Sequence, residues 1–91
     1  MALVYQVSTQ GEAQIRAALV ERGMADLLVH RVLTKGLARG DALWFVTNIR
    51  QEATVRVWFG SIGMSQVKIC FVDDFGGAGW CRTHPLKGRL G

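Results

Sequence analysis

The chain has 91 residues, 49% of them hydrophobic and 20% charged, with a net charge of +4. At that length it is one domain, 1–91, near the lower limit for unaided folding, and it hides only about 60–65% of its unfolded surface. The apolar share is enough for a dense core, which excludes a disordered chain, and two cysteines are too few for a disulfide-built scaffold.

The positive charge invites a polyanionic partner. However, Arg16, Arg22, Arg31, Lys35, Arg39, Arg50, Arg56 and Lys68 are dispersed among Glu12, Glu21, Asp26, Asp41 and Glu52, the pattern of a solvated surface. Only a tail, 81–91, with Arg82, Lys87 and Arg89, is locally basic. The first seven residues hold no basic segment ahead of apolar ones and no cleavage pattern, and no apolar run nears the ~20 residues of a membrane span. The expectation is a soluble cytoplasmic protein with no membrane segment.

In chain order, Gly11-Glu12-Ala13 leads into 14–19, and Gly23-Met24-Ala25 leads into 26–32. Gly36-Leu37-Ala38 leads, after the insertion Arg39-Gly40-Asp41, into 42–46. Gln51-Glu52-Ala53 leads into 54–59, Gly63-Met64-Ser65 into 66–72, and Gly76-Gly77-Ala78 onto Gly79-Trp80. Gly-x-(Ala/Ser) thus marks five of six units, Gln51 replacing the glycine in the other, at a spacing of 12 to 15 residues. That regularity predicts an internal repeat over about 4–80.

The units at 49–72 show the pattern most clearly. Val55, Val57 and Phe59, then Val67, Ile69 and Phe71, take one face; Arg56 and Trp58, then Lys68 and Cys70, take the other. Such alternation predicts half-buried strands with an inward register of Ile15, Leu27, Val29, Leu43, Val55 and Val67. On a fully covered central strand, Phe71→Ala would cost about 3–5 kcal/mol. Ser8, Thr34, Asn48, Ser61 and Asp73 are placed to cap a helical or 3₁₀ turn, and the glycines to take positive φ. Since parallel neighbours need a crossover of about a dozen residues, the short connectors predict antiparallel neighbours or strands that cross between two layers. The expected class is a small β-rich α+β fold of six strand-plus-helical-turn repeats, with no long helix.

The repeated Arg-x-x-Ala lead with its alternating strand, and Ala78-Gly79-Trp80 at the close, resemble the septoil-knot family. The resemblance is strongest at Arg22-Gly23-Met24-Ala25-Asp26-Leu27, Arg50-Gln51-Glu52-Ala53 and Val67-Lys68-Ile69-Cys70-Phe71-Val72, and Val4-Tyr5-Gln6-Val7 fits the family's opening strand. Arg31 and Gly60 depart from it, replacing apolar strand residues. The resemblance implies a small bacterial protein with a deep seven-crossing knot. It implies no activity.

No constellation converges on catalysis. Cys70, Cys81, His30 and His84 lack a C-x₂₋₄-C pair for zinc, so two free thiols and no metal or cofactor are expected. Asp73-Asp74 ahead of Phe75-Gly76-Gly77 reads as turn chemistry. The glycines form no phosphate loop. Two functions remain: a stable, monomeric, non-enzymatic interaction or accessory protein with a protein partner, and a small nucleic-acid-binding accessory factor using Arg56, Trp58, Lys68, Arg82, Lys87 and Arg89.

Overall fold

The computed structural model describes residues 2–90; Met1 and Gly91, the ends of the predicted 1–91 domain, lie outside the described residues. Seven strands form: β1 (Ala2–Gln6), β2 (Ile15–Leu19), β3 (Leu27–Arg31), β4 (Leu43–Val46), β5 (Val55–Phe59), β6 (Val67–Phe71) and β7 (Gly79–Trp80). A three-residue 3₁₀ turn precedes each strand from β2 to β7, so strand and turn alternate through the chain. In each turn the Ala or Ser that follows donates its backbone N–H three residues back, as Ala13 does to Gln10 and Ser65 to Ile62. The residue before it does the same, as Glu12 does to Thr9, and two such three-residue bonds per turn do not propagate an α-helix. Among the described residues there is no α-helix, which overturns the α+β expectation: the fold is all-β.

The first six strands close a barrel in the order β4-β1-β5-β2-β6-β3, with β3 returning to β4. Every neighbouring pair in that ring is parallel; only β7 runs antiparallel, against Leu27 and Leu28 of β3. The expectation of antiparallel neighbours or a two-layer crossing is therefore wrong, and the register shows why. Gln6 at the end of β1 is level with Val57, which is level with Ile15 at the start of β2. Leu19, Ile69 and Leu27 align in the same way, as do Val46, Val4 and Val55, and Phe59, Ala17 and Val67. The chain leaves one strand at the height where it enters the next, so a short turn suffices. A long crossover is needed only where the chain must come back.

This stagger winds the chain around the barrel and then sends it round again. β5 enters between β1 and β2, and β6 between β2 and β3, so the second lap lies between strands of the first. Consecutive strands are next-nearest neighbours except β3 and β4, which pair directly.

Polar residues just ahead of the strands hold the starts together. The Gln14, Asp26, Thr54 and Gln66 backbone N–H groups donate to the carbonyls of Arg56, Lys68, Leu3 and Arg16 respectively, at 2.7–2.9 Å. Each of the four side chains accepts the N–H of that same partner residue, at 2.9–3.0 Å. Two bonds per site fix the register where a ladder would otherwise fray. Side-chain capping of the turns is a different matter: among the described residues only Asp74 does it, accepting from Gly76 N–H. Ser8, Thr34, Asn48, Ser61 and Asp73 do not. The turn glycines also keep negative φ; positive values occur at Gly40, Gly79 and Gly88.

The barrel interior is filled by Ala2, Val4, Ile15, Ala17, Leu27, Val29, Trp44, Val55, Val57, Val67 and Ile69, with Leu90 of the tail. Apart from Trp44 these are small or branched aliphatic side chains, which suit the narrow bore of a six-stranded barrel. Leu43 was expected inside, but β4 is offset by one residue: Trp44 points in, while Leu43 and Phe45 pack outside against Leu3, Val32 and Ala38.

The tail belongs to the core as well. Asp41, from the insertion before β4, accepts from Trp80 Nε1 at 2.8 Å, from Leu90 N–H at 2.9 Å and from Gly88 N–H. Its carbonyl accepts from Trp44 Nε1 at 2.6 Å. Arg82 Nε lies 3.4 Å from Asp26, and His84 Nε2–H donates to the Gln66 carbonyl at 3.0 Å. Asp26, Asp41 and Gln66 all precede strands, so the tail lies across the amino end of the barrel and Leu90 closes it.

Thr47 and Lys35 both donate to Glu52, Lys35 at 2.6 Å, and these bonds hold the Glu52 carboxyl below its ordinary value of 4.5. A depressed carboxylate stabilises the fold above its unfolded pKa and loses that contribution as pH falls through the folded value. Glu52→Gln should therefore lower Tm at pH 7, with the gap to the parent protein closing below pH 4.5. A gap that stays constant down to pH 3 would show that the charge is irrelevant.

Candidate functional site

With the amino end stoppered, the carboxyl end stays open. Each barrel strand ends on a residue of its inward register: Gln6, Leu19, Arg31, Val46, Phe59 and Phe71. These six residues and Val4 line a cavity of about 180 Å³. In parallel sheets ligands bind at the carboxyl ends of the strands, where the inward side chains emerge from the core.

The strand order arranges the rim. Around the mouth run Gln6, Phe59, Leu19, Phe71, Arg31 and Val46. Phe59, Leu19 and Phe71 make an apolar arc, and Gln6 and Arg31 stand on either side of Val46 opposite it. The Phe71 ring centroid is 6.0 Å from that of the buried Trp44 and 6.4 Å from that of Phe59, so aromatic contacts join the wall of the mouth to the core. The Arg31 guanidinium sits over Phe71, 6.0 Å from the ring centroid. Among the described residues no carboxylate lies within ion-pair distance of Arg31. A second hollow of about 360 Å³, bordered by Tyr5, Val7, Ser8, Thr47 and Asn48, is wider, more polar and without a charged side chain.

Phe71 is 37% exposed, so the fully covered position expected for it is not found. The alternation placed it on the correct face, but that face ends in an open mouth. Arg31 and Gln6 were missed as a site. Their signal was a polar residue finishing an inward apolar register, in Leu27-Val29-Arg31 and in Ala2-Val4-Gln6.

The six residues expected to contact nucleic acid do not form one surface. Arg56, Trp58 and Lys68 share the outer wall, where Tyr5 is level with Arg56, Arg16 with Trp58, and Ala18 with Lys68. Arg16 and Tyr5 extend this basic and aromatic strip. Arg56 Nε donates to the Glu12 carbonyl at 3.0 Å. The Trp58 ring lies over Gly60, where an added Cβ would sit 2.1 Å from its Cη2, so that glycine makes room for the indole. Arg82 is drawn to Asp26, and Lys87 and Arg89 are exposed at the amino end with the tail.

The groups weighed for chemistry are held by backbone. His30 Nδ1–H donates to the Val72 carbonyl at 2.9 Å. His84 Nδ1 accepts from Leu86 N–H at 3.1 Å, and its ring stacks on Trp80 at 5.1 Å. Cys70 is half-buried and Cys81 exposed, both as free thiols. Among the described residues no helix is long and apolar enough to cross a membrane.

Comparison with known proteins finds one family: residues 1–81 match the model described as the 7(1) septoil knot domain. No curated protein and no solved structure matches. The residues that follow, including the Leu90 stopper, lie beyond the matched stretch.

Proposed function

The chain belongs to the septoil knot domain family, and from that premise we propose that its interleaved barrel is deeply knotted and serves as a non-catalytic binding module. It is an accessory protein of the bacterial cytoplasm, acting as a monomer, that takes an apolar group of its partner or ligand into the barrel mouth. The observation that carries this reading is the asymmetry of the ends: one closed by Leu90, the other open and lined by the last residue of all six barrel strands. Asp26, Asp41, His30 and His84 each bond a backbone group and so help to hold the fold, which supports a binding rather than a catalytic role.

Titration with benzyl alcohol, followed by the NMR signals of methyl and aromatic groups, tests the mouth. Shifts should concentrate on Leu19, Val46, Phe59 and Phe71. Shifts scattered over the surface, or none at millimolar concentrations, would remove the mouth as a binding site.

The outer strip of Arg16, Arg56 and Lys68 with Trp58 and Tyr5 favours a second reading, weak binding of nucleic acid without sequence preference. About three phosphate contacts give shallow affinity that declines with salt. Nanomolar binding at physiological salt would put this reading ahead of the first.

A further inference from the structure

The mouth is amphipathic, and the charge on its rim limits what fits it. We propose that it binds a small carboxylic acid carrying one benzene-sized apolar group. This inference rests on the mouth being a binding site, and adds the chemistry of the ligand.

Size sets the apolar part. A cavity of roughly 150 Å³ lined by aliphatic and aromatic side chains holds benzene, and the mouth offers about 180 Å³. The arc of Phe59, Leu19 and Phe71 gives a ring or a branched alkyl group three apolar neighbours, with Val4 beneath. A larger group would stand out of the cavity into water.

Charge sets the polar part. Arg31 ends the inward register of β3, and its stacking over Phe71 places the guanidinium at the border of the cavity. With no carboxylate of the described chain beside it, its planar fork is available to an incoming one, which it can meet with two parallel hydrogen bonds. Gln6, on the other side of Val46, adds a carboxamide on the same edge of the mouth. One guanidinium and one carboxamide suit a planar monoanion better than a phosphate dianion, which calls for more cationic groups. A ligand with its apolar group against the arc turns its carboxylate toward Arg31.

The test compares phenylacetate with its neutral analogue phenylacetamide on the full chain, by NMR titration at low ionic strength. Phenylacetate should bind about fivefold tighter, the difference a partly exposed ion pair supports. Arg31→Gln should make the two probes bind the variant with equal affinity, and so abolish that preference. Arg31→Lys, which keeps the charge and loses the fork, should retain part of it. Equal affinity for the two probes in the parent protein would overturn the carboxylate inference and leave the binding mouth intact. A preference that survives in Arg31→Gln would overturn it too, by placing the anion elsewhere. If neither probe binds, the mouth itself is not a site and both readings fall.

Discussion

Replacing Asp41 by Ala is expected to remove about 3–5 kcal/mol of unfolding free energy, through the loss of charge-assisted hydrogen bonds and of the buried leucine they hold. Trp80, Gly88 and Leu90 all donate to this one carboxylate, and Leu90 is 2% exposed against the barrel core. Without Asp41 the tail keeps the Cys81, Arg82 and His84 contacts, which lie nearer its beginning, and the partial packing of Leu86. Asp41→Asn should be nearly as damaging, because its NH₂ group would face backbone donors. Removing residues 82–91 should cost a similar amount, and combining that deletion with Asp41→Ala should add little. Coupling of this kind is the signature of groups acting through one contact. Denaturant unfolding measures all four variants; additive losses would show that Asp41 supports the barrel independently of the tail.

The same region shows where the residues spoke plainly and where they did not. Asp41 lies in the insertion that breaks the spacing of the repeats, a visible anomaly whose purpose needed the tail in place. Strict alternation located β5 and β6 to the residue, because Val, Ile and Phe inside and Arg, Lys and Trp outside leave one register. At β4 the run Ala42-Leu43-Trp44-Phe45-Val46 has no polar phase, so nothing local separates Leu43 from Trp44 as the inward residue. Parallel pairing was hidden for another reason. It depends on stagger between strands far apart in sequence, such as Gln6, Val57 and Ile15, and local patterns carry no record of stagger.

The candidate site was half legible on similar grounds. The outward position of Arg56, Trp58 and Lys68 follows from alternation alone, as does their meeting on one wall once β5, β2 and β6 are neighbours. The mouth does not follow, because alternation says which face a side chain takes and not where the core ends. Arg31 and Gln6 carried that information, as polar groups in an inward register. A charge there is tolerated only where water can reach it.

The depth of burial along this register sets the second large effect. Trp44 is 1% exposed and spans the core, its Nε1 donating to the Asp41 carbonyl at the amino end and its ring meeting Phe71 toward the mouth. Trp44→Ala should cost about 3–5 kcal/mol, as truncating a buried aromatic does. A domain of this size has a total stability on the order of 5–15 kcal/mol, so the variant would be close to unfolding. Phe71→Ala removes a ring that is 37% exposed, and should cost only about 1–2 kcal/mol, since the ring already meets water at the open end. Equilibrium unfolding in urea of the two variants beside the parent protein gives both values. The order of the two losses is what matters. If Phe71→Ala proved as damaging as Trp44→Ala, the carboxyl end would be closed in solution, and neither an apolar group nor a carboxylate could enter there.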